Sequence, residues 1–434
     1  MVLEKHRPGR MEKSSAAVAG SESELQIKQR KRRRLQFAVL ALALLCTTTL
    51  GWAVSLFQTG RATGLIDTTA SVALTPLGST IRENFPIVLY AVAILILLTN
   101  LRSLKGRAMR GFVPALLGVL LLYVASATAT QNITSTLTFL TLIALIALTV
   151  WSIGLEVGDL VVLGRIGFAI AVVSLIMAAT TDKAWSDEGE MTKGLLTDAT
   201  LAGFFPQMNP LGMSMAITLP FVFMFKRRWV RVAGFAAVAL TLLMASSRTA
   251  IIAAAIGLAV GIVLRITRRR SRVFLGYVAV ILILTVSVVV PVTAGSGAFT
   301  GRGDIWHASL SLIPDKPIWG YGPSAYMHGG AVSNILGVAH WHGHNMWITF
   351  MVIGGVVGLV ALALFWFPAL HTSLLIAREG NLVPATALMT TLALGIAEVQ
   401  IRPSEFDGVA WVSWVSLFAI AMLVRKPREA TQEG

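Results

Sequence analysis

Twelve apolar runs, at about residues 35–57, 85–99, 111–127, 136–154, 166–180, 209–225, 232–246, 250–264, 273–292, 346–367, 384–400 and 409–424, divide the chain. A run of roughly 20 apolar residues matches the hydrocarbon core of a bilayer once it is helical, because a helix satisfies its own backbone hydrogen bonds. Hydrophobic residues make up 55% of the 434 and charged ones only 13%, about half the charge of an ordinary soluble domain. The expected fold is therefore an all-α polytopic membrane protein with about 12 transmembrane helices and a long loop between helices 9 and 10. A net charge of +15 would suggest nucleic acid if the basic residues shared one folded face. They fall between apolar runs instead, so no nucleic-acid partner is expected.

Lys28, Arg30, Lys31, Arg32, Arg33 and Arg34 precede the first run, which places the N-terminus in the cytoplasm by the positive-inside rule. Counting onward through twelve crossings, the inner-side segments hold 28 of the 36 Lys and Arg, and the outer-side segments hold twelve of the 21 acids. Both termini are expected inside. The divisions are a basic tail at 1–34, helices 1–9 over 35–292, an outer loop at 293–345, helices 10–12 over 346–424 and a tail at 425–434.

The first run has a basic flank but is too long for a signal peptide and lacks a small-x-small cleavage site, so it reads as an uncleaved anchor. Leu45 before Cys46 argues against lipoprotein processing, and a lone cysteine forms no internal disulfide. Phosphate-loop, CxxC, dinucleotide-binding and HExxH patterns do not occur in the sequence. Asn132-Ile133-Thr134 matches a glycosylation sequon, a triplet common by chance.

The long connections, 58–84, 181–208 and 293–345, all lie on the outer side, where length points to function. The last carries Trp306, Trp319, Tyr321, Tyr326, Trp341 and five histidines, aromatic content that can bury itself or stack on sugars. Ionisable residues at the ends of spans are functional candidates because charge is costly in hydrocarbon. Arg248 stands in a Ser-Ser-Arg-Thr turn between runs seven and eight, where it could also simply snorkel or cap the turn. Arg302, in Gly301-Arg302-Gly303-Asp304, sits where glycines let backbone approach a ligand, or where it could pair with Asp304. His344 and Asn345 precede run ten, and a histidine there can take a proton from a hydroxyl or serve only as a helix start. His340, His342 and His344 share one face only in an extended strand, which Gly343 and the nearby helix start oppose, so no metal site is expected. Glu398, Arg402, Glu405 and Asp407 cluster after run eleven and could pair among themselves.

The order of twelve runs, the Ser-Ser-Arg turn, a long outer loop opening with Gly-Arg and containing Gly320-Tyr321-Gly322-Pro323, and His-Asn leading into a helix with Gly354, Gly355 and Gly358 resembles the O-antigen ligase and polymerase superfamily. Within it the chain looks most like ExoQ-type exopolysaccharide repeat-unit polymerases, over residues 35 to 424. The resemblance implies glycosyl transfer from an undecaprenyl-diphosphate-linked oligosaccharide donor to a glycan acceptor. That transfer takes place on the periplasmic face of the bacterial inner membrane, without metal or other cofactor. It also implies flippase and chain-length regulator proteins as partners. Arg248 and Arg302 would match the family's arginines and His344 its general base, with Asn345, Asn209, Tyr321, Trp306 and His342 as substrate contacts. The family's Gly-x-x-x-His-x-Asn stretch here reads from Gly203 to Asn209 with Gln207 and Met208 before the asparagine, so Asn209 is kept and the histidine is not.

The chemistry fits independently. Guanidinium forks suit phosphate oxygens, and charge that grows on a departing diphosphate is stabilised most in the transition state. A single displacement assisted by a base predicts inversion at the anomeric carbon. A ligase acting on lipid A core or protein shares donor and residues. A transporter or flippase would place its charges at mid-membrane in related halves, and no half-to-half repeat is seen.

Overall fold

The computed structural model describes residues 9–61, 74–104, 107–129, 134–186, 194–340, 342–402 and 406–424. The sequon asparagine Asn132, Trp341, Glu405 and the tail at 425–434 lie outside the described residues. The chain is helical almost throughout. Before the long outer loop come α1 (Gly9–Thr59), α2 (Pro76–Asn100), α3 (Phe112–Ala129), α4 (Thr134–Ile153), α5 (Val161–Thr180), α6 (Met208–Val222), α7 (Arg228–Ala245), α8 (Arg248–Ile266) and α9 (Arg272–Thr293). Two short helices follow in the long loop, α10 (Ala298–Leu312) and α11 (Ala331–Leu336), before α12 (Met346–Glu379), α13 (Val383–Leu394) and α14 (Ala410–Ala421). One two-residue antiparallel pair, Trp185–Ser186 with Thr200–Leu201, closes the second outer connection. It is an all-α polytopic membrane protein.

All twelve apolar runs form helices, but among the described residues nine helices, α1–α5, α7–α9 and α12, are long and apolar enough to cross a bilayer. At 1.5 Å per residue α6 is about 22 Å long and α13 and α14 about 18 Å each, against a hydrocarbon core of about 30 Å. The run at 384–400 stops being helical at Leu394, and residues 395–402 and 406–409 are turns and irregular backbone. The first helix also begins earlier than its apolar run, at Gly9.

Hydrogen bonds sort the connections onto two faces. On one, Arg32 reaches Thr99 O, Arg33 and Arg34 meet Asp159, Arg107 meets Trp151 O, and Arg272 donates to Ala377 O. This basic face carries the N-terminal end of the bundle. On the other, Arg61 donates to the carbonyls of Lys183, Gly203, Phe205 and Pro206, and Leu195 N donates to the Ser246 hydroxyl. Burial draws the Arg61 guanidinium down to about 10, and four carbonyls hold it in place. The short helices α6 and α14 end, and α13 begins, on the basic face, so their other ends stop short of the opposite boundary. Close packing there needs small residues: a Cβ at Gly257 or Gly261 of α8 would fall 1.9 Å from Thr390 Oγ1 or 2.5 Å from Thr386 Oγ1 of α13.

The long loop has its own small core, built from Ile305, Trp306, Tyr326 and Val332 against Ile348 and Val352 of α12. It is locked to α12 at a break. Gly355 has φ 60, ψ −152, a conformation essentially reserved for glycine. The carbonyls and N–H groups freed by the break bond to the loop: Tyr321 N to Val352 O, Gly322 N to Ile353 O, Val356 N to Pro317 O and Val357 N to Ile318 O.

Candidate active site

Arg302 begins the regular part of α10, because Phe299, Thr300 and Gly301 before it are all left-handed. Its Nη1 donates to Thr249 Oγ1 (3.1 Å) and Ala397 O (2.6 Å), and its Nη2 is bonded to Glu398 Oε1. Three of its five N–H groups are thus committed, which fixes the guanidinium against the first turn of α8 and the chain after α13. Arg248 lies one peptide away from Thr249. The α7–α8 turn is tight because Ser246 is left-handed (φ 54) and Ser247 starts the next helix. Arg248 is exposed and makes no hydrogen bond or ion pair among the described residues.

His344 closes the cluster from the other side. Its Nδ1 is 3.5 Å from Glu398 Oε2, so one carboxylate faces both Arg302 and His344. A proton on Nδ1 faces that carboxylate and leaves His344 Nε2 as the acceptor. The residue is left-handed (φ 48), a conformation that costs energy outside glycine and is held here by its surroundings. That turn, and not an extended strand, brings the His342 and His344 rings to 4.4 Å. His344 N donates to His342 Nδ1 (3.1 Å), so neutral His342 carries its proton on Nε2.

Burial opposes charge at both histidines. It draws His344 below its ordinary value, a shift that Glu398 partly reverses and Arg302 reinforces. His342 is held far lower, by burial and then by Arg402, His344 and Arg302. Glu398 is 2% exposed. Burial pushes its carboxyl up, but Arg302 and His344 outweigh that and hold it down at about 2. At neutral pH the cluster therefore consists of an ionised Glu398, a charged Arg302 and a neutral His344.

Asn345 is fully buried and structural in its contacts. It caps α12 by accepting from Ile348 N (2.9 Å), while Nδ2 donates to Ser287 O and Ile396 O. Asn209 lies in the first turn of α6, one turn above Gly212, whose Cβ position would be 2.7 Å from Ser247 Cβ. That contact sets it beside the Arg248 turn. Trp306 is 0% exposed and Tyr321 bonds to Leu312 O (3.2 Å). Both serve the loop's own packing, and neither is part of the Arg302–Glu398–His344 cluster. Arg402 pairs with Asp407 at 3.2 Å.

Donor atoms of His342, His344 and Glu398 lie within 4.8 Å of one another, so they are the residues that could hold a metal. The donor set opposes one. Glu398 Oε1 is engaged by Arg302, His342 Nδ1 by a backbone N–H, and two guanidinium groups act on His342.

Residues 233–363 match the family model described as O-antigen ligase. No curated protein matches the chain. The matched stretch runs from α7 to the middle of α12 and so contains Arg248, Arg302 and His344. It leaves out Asn209 and Glu398. The match supports the O-antigen ligase and polymerase superfamily, whose members act on polyprenyl-linked glycans at membranes. In sequence Glu398 clusters with Arg402, Glu405 and Asp407, which does not reveal it as the link between Arg302 and His344, and neither Thr249 nor Arg61 is marked out. The available signal was a carboxylate at the end of an apolar run, where an unpartnered charge would be costly.

Proposed function

We propose that this protein is a membrane glycosyltransferase that joins undecaprenyl-diphosphate-linked repeat units into exopolysaccharide, by metal-independent inverting transfer on the site face. The observation that carries the reading is the single buried carboxylate of Glu398, shared between Arg302 and His344 beside the unpartnered Arg248. The acceptor hydroxyl attacks C1 of the donor sugar as its proton passes to His344 Nε2. The bond from C1 to the diphosphate oxygen breaks, and the growing negative charge is met by Arg248 and the uncommitted N–H groups of Arg302. Glu398 keeps His344 oriented and stabilises the imidazolium that forms, as a third group does behind other histidine bases. No acid need protonate a diphosphate leaving group. The shallow end above the short helices α6, α13 and α14 supports this placement, since a lipid-linked diphosphate can reach it with its tail still in the bilayer.

A ligase reading is favoured by one observation, the description of the matching family as O-antigen ligase. One assay separates them. Purified protein in vesicles receives a lipid-diphosphate repeat unit with a chelator present and no nucleotide. Products in a ladder of increasing length support the polymerase, and transfer of one preformed chain to a separate acceptor supports the ligase. Movement of lipid across the bilayer with no new glycosidic bond would overturn both.

A further inference from the structure

We propose that the basic face carries a binding site for the phosphate headgroup of an anionic phospholipid, remote from the glycosyl-transfer cluster. A cavity of about 570 Å³ opens there between α1, the start of α5 and the α6–α7 turn, a size within the usual range for small-ligand sites. Arg30, Arg34, Arg165, Lys226 and Arg227 line it, against one carboxylate, Glu156.

The acids near it are already satisfied. Glu156 pairs with Arg33 at 3.1 Å, and buried Asp159 takes Arg33 and Arg34, both at 2.9 Å. The side chains of Arg30, Arg165, Lys226 and Arg227 have no hydrogen-bonding or ionic partner among the described residues, and all four are exposed. A simple orientation signal needs positive charge on this side of the membrane, but it does not need four unpaired cations around one hollow. The floor is apolar, made by Phe168, Met224 and Val230. Phosphate oxygens would take the guanidinium and ammonium groups, and the acyl chains would leave over that floor toward the lipid-facing side of α5. A basic pocket between membrane helices is the arrangement that recognises multiply charged lipid headgroups. The apolar floor favours a lipid over a free anion, which would gain nothing from it.

The test uses the full-length protein in a neutral detergent and in vesicles. Native mass spectrometry should show retained phosphatidylglycerol or cardiolipin but not phosphatidylcholine, and the anionic lipid should raise the thermal unfolding midpoint. The triple variant Arg165→Gln, Lys226→Gln, Arg227→Gln should bind anionic lipid roughly 100-fold more weakly, about fivefold for each cation removed. Arg268→Gln, Arg269→Gln, Arg270→Gln, a triple substitution elsewhere on the same face, should leave binding within about twofold of the parent if general surface charge is not the cause. Should the triple variant fold poorly, single Arg165→Gln should weaken anionic-lipid binding about fivefold and its Arg165→Lys counterpart should leave it near the parent value; equal binding in the Gln variant and the parent would overturn the site. Equal loss in both triple variants would overturn the site in favour of general surface charge. Stabilisation by inorganic phosphate alone, abolished in the first triple variant, would replace the lipid with a soluble anion.

Discussion

A carboxylate shared by a cation and a base couples two functions in one side chain, and the couplings have opposite signs. Arg302 and His344 keep Glu398 ionised at about 2, while Glu398 raises His344 against the downward pull of burial. Because His344 is lowered on balance, it is neutral and ready to accept a proton throughout the neutral range. The acid limb of kcat/KM, which reports the free protein, should lie below the ordinary histidine value of about 6.5. Bound diphosphate adds negative charge beside the ring, so the limb in kcat should lie at higher pH than the limb in kcat/KM. Replacing the carboxylate, Glu398→Gln, removes an influence that raises His344 and so should move the kcat/KM limb to still lower pH, with a reduced plateau. A role confined to packing would lower the plateau and leave the limb in place. His344→Ala should cost roughly 10²- to 10⁴-fold in transfer rate with membrane insertion intact. Full turnover in that variant would remove the base assignment. A smaller effect is expected for Thr249→Val, which deletes one hydrogen bond to Arg302 (3.1 Å) of a kind usually worth about 1.5–3 kcal/mol when charged. Its rate should fall on the order of tenfold or more, with no shift in the pH limb.

Among the elements, α12 is what turns the loop into a fixed wall. Its Gly-rich sequence marked it out in advance, but the reason for one of those glycines is visible only in three dimensions. Gly355 breaks the helix, and a Cβ there would be 2.3 Å from both the carbonyl carbon and oxygen of Ile318. Gly355→Ala should therefore undock the segment around residues 316–322, with backbone strain of roughly 1–3 kcal/mol added to the steric conflict. The expected readout is a lower unfolding midpoint together with faster proteolysis of the 313–345 region. An unchanged midpoint with an intact loop would contradict the docking role. The same contrast runs through the rest of the fold. Apolar periodicity and charge sidedness made the twelve helical runs legible, because lipid demands a continuous apolar surface wherever a helix faces it. Helix ends buried against protein obey no such demand. The termination of α13 at Leu394 was therefore invisible, although it is what delivers Ala397 and Glu398 to Arg302. Arg248 and His344 stood out because each is a polar residue at an apolar boundary, and Arg302 because glycines flank it in the long loop. Trp306 stood out for the same loop chemistry but packs inward, since an aromatic ring gives no sign in sequence of whether it faces solvent or its own core.

At the scale of the whole molecule, orientation decides which substrates can meet the site. The two faces differ in kind: the basic one gathers the arginine contacts to Asn100, Asp159 and Ala377, and the other gathers Arg61, the α7–α8 turn, the long loop and the cluster around Glu398. A lipid-linked glycan exported across the membrane would encounter the second face only if the basic face is cytoplasmic, as the positive-inside rule expects. Single cysteines added to a Cys46→Ser background test this directly, since the chain has one native cysteine. Asp304→Cys, on the exposed side of α10, should react with a membrane-impermeant maleimide added to intact spheroplasts. Arg269→Cys, exposed at the basic end between α8 and α9, should react only after the membrane is opened. If the two patterns are reversed, the cluster faces the cytoplasm and a donor displayed on the periplasmic leaflet could not reach Arg248. The polymerase and ligase readings would then fall together, and the anionic-lipid site would lie on the outer leaflet. The arrangement of charge makes that reversal costly. Inverting the chain would carry 28 of its 36 basic residues across a membrane whose potential penalises each by about 2.3 kcal/mol per 100 mV, against eight moved the favourable way.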